Sequence, residues 1–203
     1  MIAALYVQKG GCYYGLPNVD PWDEERDARL YAGPHPVIAH PPCNLWVNMA
    51  AVNWKRYGRQ KPAWYSGGTD GGCFKAALKS LYKFGGVLEH PAFSHAWDVY
   101  PVIKPDGIGW TRDPLLPNVY VCEVWQSVYG HRARKRTWVL YCGKKPPPEL
   151  NWERKPGVSQ IGWCNHIRPT KKPSLSKKES QSTPIEFRDL LLRIARSARR
   201  EDR

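Results

Sequence analysis

No apolar run in the 203 residues approaches the ~20 that a membrane-spanning helix needs, so a helical span is not expected. The opening stretch, MIAALYVQKGG, places no basic residue ahead of its short apolar run and reads as a first strand, not a signal peptide. Six cysteines stand singly at 12, 43, 73, 122, 142 and 164, with no CxxC pair. That argues against a disulfide framework and for a reduced, cytoplasmic setting. His35, His40 and Cys43, and separately Cys164 and His166, have metal-compatible spacing. Neither set supplies four ligands, so no metal is expected. Internal repeats are absent. Acidic residues are outnumbered, 18 against 31 Lys and Arg, for a net charge of +13.

That excess suits a polyanion, and DNA held mainly through its phosphates is the expected partner. From Lys144 to Arg203 there are 15 basic and 7 acidic residues, so the excess is concentrated late in the chain. Hydrophobic residues make up 42% and charged residues 24%, which supports one globular domain with a true core. Ten tryptophans serve either that core or a stacking surface. Trp46, Trp54 and Trp64, interleaved with Lys55, Arg56, Arg59 and Lys61, are open to both readings.

Short apolar runs at 2–7, 36–40, 86–89, 119–125 and 137–142 read as strands. Between them, Phe74, Ala77, Leu78 and Leu81 carry helical spacing over 71–84, with Asp70 as an N-cap. Residues 47–69 lack a clear period and read as loop or broken helix, and 92–117 as a loop rich in Pro, Gly and Trp. Residues 144–182 read as a basic Pro/Lys-rich linker. A final amphipathic helix is expected within 183–203, opened by a capping box at Thr183–Glu186. Its stripe is Phe187, Leu190, Leu191, Ile194, Ala195 and Ala198. Strands alternating with a helix over 1–143 give an open α/β sheet, whose sites form at the carboxyl ends of its strands. Cys43 and Glu89 both fall at such ends.

Those residue types suit chemistry at C5 of a pyrimidine. C5 has little nucleophilicity until a thiolate adds to C6; a carboxyl group near N3 and a cation near O2 then support the charge on the ring. Cys43 follows Pro41-Pro42, Glu89 ends the strand GGVL, and Arg134 and Arg136 precede TWVLY.

The order of these motifs resembles the cytosine-C5 DNA methyltransferases. Ala4–Gly11 followed by Gly15-Leu16 is similar to their cofactor loop. His40-Pro41-Pro42-Cys43 resembles their Pro-Pro-Cys, and Leu88–Pro91 their Glu-Asn-Val segment. His131–Arg136 resembles their arginine-rich segment. The series HPPC, LEHP and YGHRARKRTW is also similar to small phage-encoded proteins. The resemblance implies a trimmed Rossmann-like methyltransferase sheet with a C-terminal helix packing back on it. It implies Cys43, Glu89, Arg134 and Arg136 as catalytic residues, and His40, Pro42 and Arg132 as base or phosphate contacts. Tyr6, Gly10 and Gly11 would hold S-adenosylmethionine, with Asp23, Asp20 or Glu25 in place of the carboxylate that binds its ribose.

The chain departs from that family where the cofactor would sit. Ala4 stands for an acidic residue and Gln8 for a glycine, and eight residues between Tyr31 and His40 leave no room for a further strand. The large region that reads DNA sequence is missing too. Three functions stay open: a DNA pyrimidine-C5 methyltransferase, an inactive relative that binds nucleic acid or a nucleotide (for example a phage anti-defence factor), and a C5 enzyme with another one-carbon donor.

Overall fold

The computed structural model describes residues 1–161 and 172–198; Cys164 and His166 lie outside them. Seven strands form one sheet: β1 (Ile2–Leu5), β2 (Val19–Trp22), β3 (Val37–Ala39), β4 (Gly86–Pro91), β5 (Thr111–Arg112), β6 (Val119–Trp125) and β7 (Arg136–Cys142). Their order is β2-β1-β3-β4-β7-β6-β5. The first four run parallel, and β4, β7, β6 and β5 pair antiparallel. Parallel neighbours need a crossover. Between β3 and β4 it is supplied by α1 (Asn48–Tyr57) and α2 (Cys73–Phe84). The short helices α3 (Ala96–Val99) and α4 (Lys177–Gln181) follow, and the chain closes on α5 (Ile185–Ser197).

Successive strand residues point to opposite faces, and both faces are covered. Ala3, Leu5, Val37, Ala39, Leu88 and Leu140 pack with Phe74, Ala77, Leu78 and Leu81 of α2. Ile2, Ala4, Ile38, Val87, Val139 and Tyr141 pack with Phe187, Leu191 and Ile194 of α5. The last helix is therefore part of the core, and cutting the basic end of the chain ahead of it would remove half of that face. Gly86 has φ +121°, and a Cβ there would stand 2.0 Å from the Val37 carbonyl oxygen, so only glycine lets β4 start this close to β3.

Two strands and a helix depart from the sequence expectation. β2 contains Pro21, which an edge strand tolerates because its missing N–H faces away from the ladder. β5 has only two residues. α1 buries only Ala50, so it has no apolar stripe to read; Gly58 ends it at φ 60°, with its N–H on the Asn53 and Trp54 carbonyls.

The expected caps also shift. Asp70 serves the first turn of α2 from outside it, accepting from Gly72 N and Phe74 N at 2.9 Å each. Pro184 precedes α5 with no side-chain cap. The capping box lies instead at Ser176 and Glu179 on α4, so the expected one at Thr183 is corrected.

Residues 144–161 run extended, as their prolines require, yet are held to the domain. Tyr129 Oη donates to Asn151 O (3.1 Å), Ser159 N to Arg132 O (3.0 Å), and Leu150 is buried. A Cβ at Gly157 would lie 2.5 Å from the Ala133 backbone, so glycine admits this contact.

Candidate active site

The strand order turns at β1, which has β2 on one side and β3 on the other. Ligands of open α/β sheets bind beyond the carboxyl ends of strands at such a reversal. Here those ends are Tyr6–Gly11 after β1 and His40–Cys43 after β3, with Glu89 near the end of β4.

Ala39 pairs with Leu88, so His40 and Glu89 fall one step further along the same register, on the face covered by α5. His40 Nδ1 and Glu89 Oε1 are 2.7 Å apart, with side chains 11% and 15% exposed. Tyr13, from the turn after β1, is buried and places its hydroxyl 2.8 Å from His40 Nε2. The His40 ring thus carries one polar neighbour on each nitrogen. Burial pushes the Glu89 carboxyl up. The His40 hydrogen bond and charge outweigh it, helped by Lys135, and leave Glu89 below the ordinary glutamate range. Burial, with the Cys12 and Glu89 charges, pushes the Tyr13 phenol well up.

Cys43 sits in the turn that the two prolines lead into, and its carbonyl accepts from Trp46 N at 2.9 Å. Burial and then the Glu89 charge push its thiol above the ordinary value; Lys135 pulls the other way. Lys135 is half-buried, and burial lowers its ammonium pKa against the Glu89 and Cys43 charges. Its Nζ also donates to the Ser182 carbonyl at 3.1 Å. A thiol, a carboxylate and a cation therefore share one electrostatic neighbourhood, drawn from three separate chain segments.

The arginines of the basic loop have partners of their own. Arg134 is exposed, its guanidinium 4.9 Å from the Trp125 ring centre. Arg136 makes two bonds to Glu123, of 2.8 and 2.7 Å, and covers Phe93. Arg132 pairs with Glu179 at 2.9 Å. Lys135 has φ 36°, so the strand-like alternation of the run breaks there. Pro42 is exposed on the Cys43 turn. Neither Lys135 nor Tyr13 carried a distinguishing signal: one is a single lysine within a basic run, the other one of several tyrosines in a glycine-rich turn.

Of the groups that the resemblance assigns to a cofactor, Tyr6 and Asp23 are turned inward. Tyr6 donates its hydroxyl to the Cys73 carbonyl at 3.0 Å. Asp23 is buried; Oδ1 accepts from Glu25 N and Arg26 N, and Oδ2 from the Tyr14 hydroxyl. Gly10 stands at φ 64° with no neighbour where a Cβ would be, and Gly11 N donates to Gln8 O. A buried aspartate already holding three donors does not fit the ribose of a nucleoside cofactor, and Tyr6 has no free donor for one.

No protein-family model, curated protein or solved structure matches the chain. Among the described residues, no helix is long and apolar enough to cross a membrane.

Proposed function

We propose that this protein modifies a pyrimidine of DNA at C5, on a trimmed Rossmann-like sheet of the kind cytosine-C5 methyltransferases use. The observation that carries the reading is the little-exposed His40–Glu89 pair, 2.7 Å apart and one register step beyond the β3–β4 ladder, with Cys43 three residues past His40 on the turn that follows β3. The Cys43 thiolate adds its electron pair to C6, forming the S–C6 bond and leaving C5 enamine-like. Glu89, held ionised by His40, accepts from the exocyclic amino group of cytosine. Lys135 faces the charge that the added thiolate brings, in the role first given to the arginines. C5 then takes the one-carbon group from an electrophilic donor. Water takes the C5 proton, and the electrons of that C–H bond re-form the C5–C6 double bond as the sulfur leaves C6 as thiolate.

A second reading, a DNA-binding protein without chemistry, is favoured by two observations. Burial keeps the resting Cys43 thiol protonated near neutral pH, and Tyr6 and Asp23 are spent within the fold.

The test is covalent trapping. DNA carrying 5-azacytosine, whose C6 takes up a thiolate with no donor bound, is incubated with the protein, and adducts are read by denaturing gel and mass spectrometry. A Cys43-linked adduct, absent in Cys43→Ser and slowed in Glu89→Gln, supports the enzyme. A folded protein that binds DNA and forms no adduct overturns it in favour of the binding reading. A shift in melting temperature with S-adenosylmethionine tests the donor separately, since a ligand of the folded state alone must raise it.

A further inference from the structure

We propose that α1 and the loop after it hold an unpaired DNA strand beside Cys43. The proposal rests on DNA being the substrate but not on the chemistry. From Asn44 to Thr69 the chain has four cations, Lys55, Arg56, Arg59 and Lys61, and no acidic residue. Among the described residues none of the four is ion-paired. Instead Arg56 and Arg59 lie 5.6 and 6.0 Å from the Tyr57 ring centre, and Lys61 lies 5.5 Å from that of Trp54.

The aromatics divide into two groups. Trp46 is buried and belongs to the core. Trp54, Tyr65, Trp64 and His95 form a partly exposed row with ring centres 5.5, 5.5 and 3.9 Å apart, and Tyr57 is 59% exposed.

The row is tied to both arms of the candidate site. α1 begins five residues after Cys43. His95, six residues past Glu89, donates its N–H to Trp46 O at 2.9 Å and places Nε2 2.8 Å from Asn48 Oδ1. Cations alone would serve a duplex, whose bases are stacked on one another. Exposed rings set among unpaired cations suit bases that are free to stack on protein, with the phosphates on the arginines.

The experiment uses the full chain and a fluorescent oligothymidine of about 12 nucleotides, with a hairpin duplex of equal charge as the comparison. The single strand should bind tighter than the duplex. Stacking is worth roughly 1–3 kcal/mol per base, so Tyr57→Ser should weaken strand binding at least about 5-fold and leave duplex binding nearly unchanged. Arg56→Ala with Arg59→Ala should reduce the salt slope for the strand by about 1.4. Tyr57 is at the exposed end of α1, so its variant should melt with wild type; Trp54→Phe, which keeps the ring row, should retain binding. Equal or tighter duplex binding, or unchanged strand binding by Tyr57→Ser, overturns the proposal. An adduct without strand preference leaves the chemistry standing, and strand preference without an adduct leaves the surface standing.

Discussion

His40 Nδ1 stands 2.7 Å from Glu89 Oε1, one register step past the last paired residues of two parallel strands, and Tyr13 closes the far side of the ring. Neither His40 nor Glu89 is well solvated, so the carboxylate depends on the ring for a polar partner. His40→Leu strands the carboxylate and should lower unfolding free energy by about 2–3 kcal/mol, the range for hydrogen bonds to charged groups. Tyr13→Phe removes a neutral bond and should cost about 1 kcal/mol. Urea unfolding measures both. A His40→Leu loss under about 0.5 kcal/mol, the level of a neutral surface change, would mean the pair is not formed in solution.

His90 makes a pH prediction with a definite sign. Its ring is buried against Phe74 and Trp97, and among the described residues neither nitrogen has a partner in hydrogen-bond geometry. Burial takes its pKa from 6.5 down to about 4, with the Glu89 charge and the Pro42 carbonyl pulling weakly the other way. The folded pKa is depressed, so the unfolded chain binds more protons between those values. Stability is then fully present above pH 6.5 and is lost as pH falls toward 4, by roughly 3 kcal/mol at most. His90→Leu should flatten that slope in melts from pH 4 to 7. The same slope in variant and wild type would assign the loss to other groups.

Arg136 and Arg134 should separate by role. Glu123 is largely buried and accepts from Arg136, Trp125 and Trp138. Removing the guanidinium leaves a buried carboxylate short of its cation, and Arg136 is only one-third exposed. Arg136→Ala should cost about 2 kcal/mol, discounted from the buried-pair range for that exposure. Arg134→Ala, at an exposed ring, should stay within about 0.5 kcal/mol. Equal costs in urea would show that the Glu123 pair is not structural.

Sheet and site were legible to different depths. Strands buried on both faces, such as Val37–Ala39 and Val87–Leu88, write themselves as apolar runs, and α5 shows its stripe from Phe187 to Ala198. Edge elements do not: β2 holds a proline and faces water, and α1 buries one alanine. Within the site, Cys43 and Glu89 were readable because both end strands. Lys135 was not, because nothing in a run of basic residues marks which member turns inward. Tyr13 and the His40 hydrogen bonds depend on register between β3 and β4 and on a glycine turn, which only the assembled sheet defines.

The reactivity of Cys43 gives the sharpest test of the shared neighbourhood. Burial comes first among the forces on its thiol and the Glu89 charge second, both disfavouring the thiolate; the Lys135 charge favours it. At pH 7.5 the wild-type thiol should therefore react with iodoacetamide more slowly than a free cysteine, because only the thiolate attacks. Glu89→Gln removes an opposing charge and should speed alkylation several-fold. Lys135→Met removes the supporting charge and should slow it several-fold. The two effects have opposite sign, so general loosening of the fold cannot mimic both. Cys12 and Cys73 serve as internal references, resolved from Cys43 by peptide mass spectrometry, and their rates should not follow the substitutions in this way. If both variants change the Cys43 rate in the same direction, or neither changes it, the three groups do not share a site, and the thiol has no claim to the chemistry proposed for it.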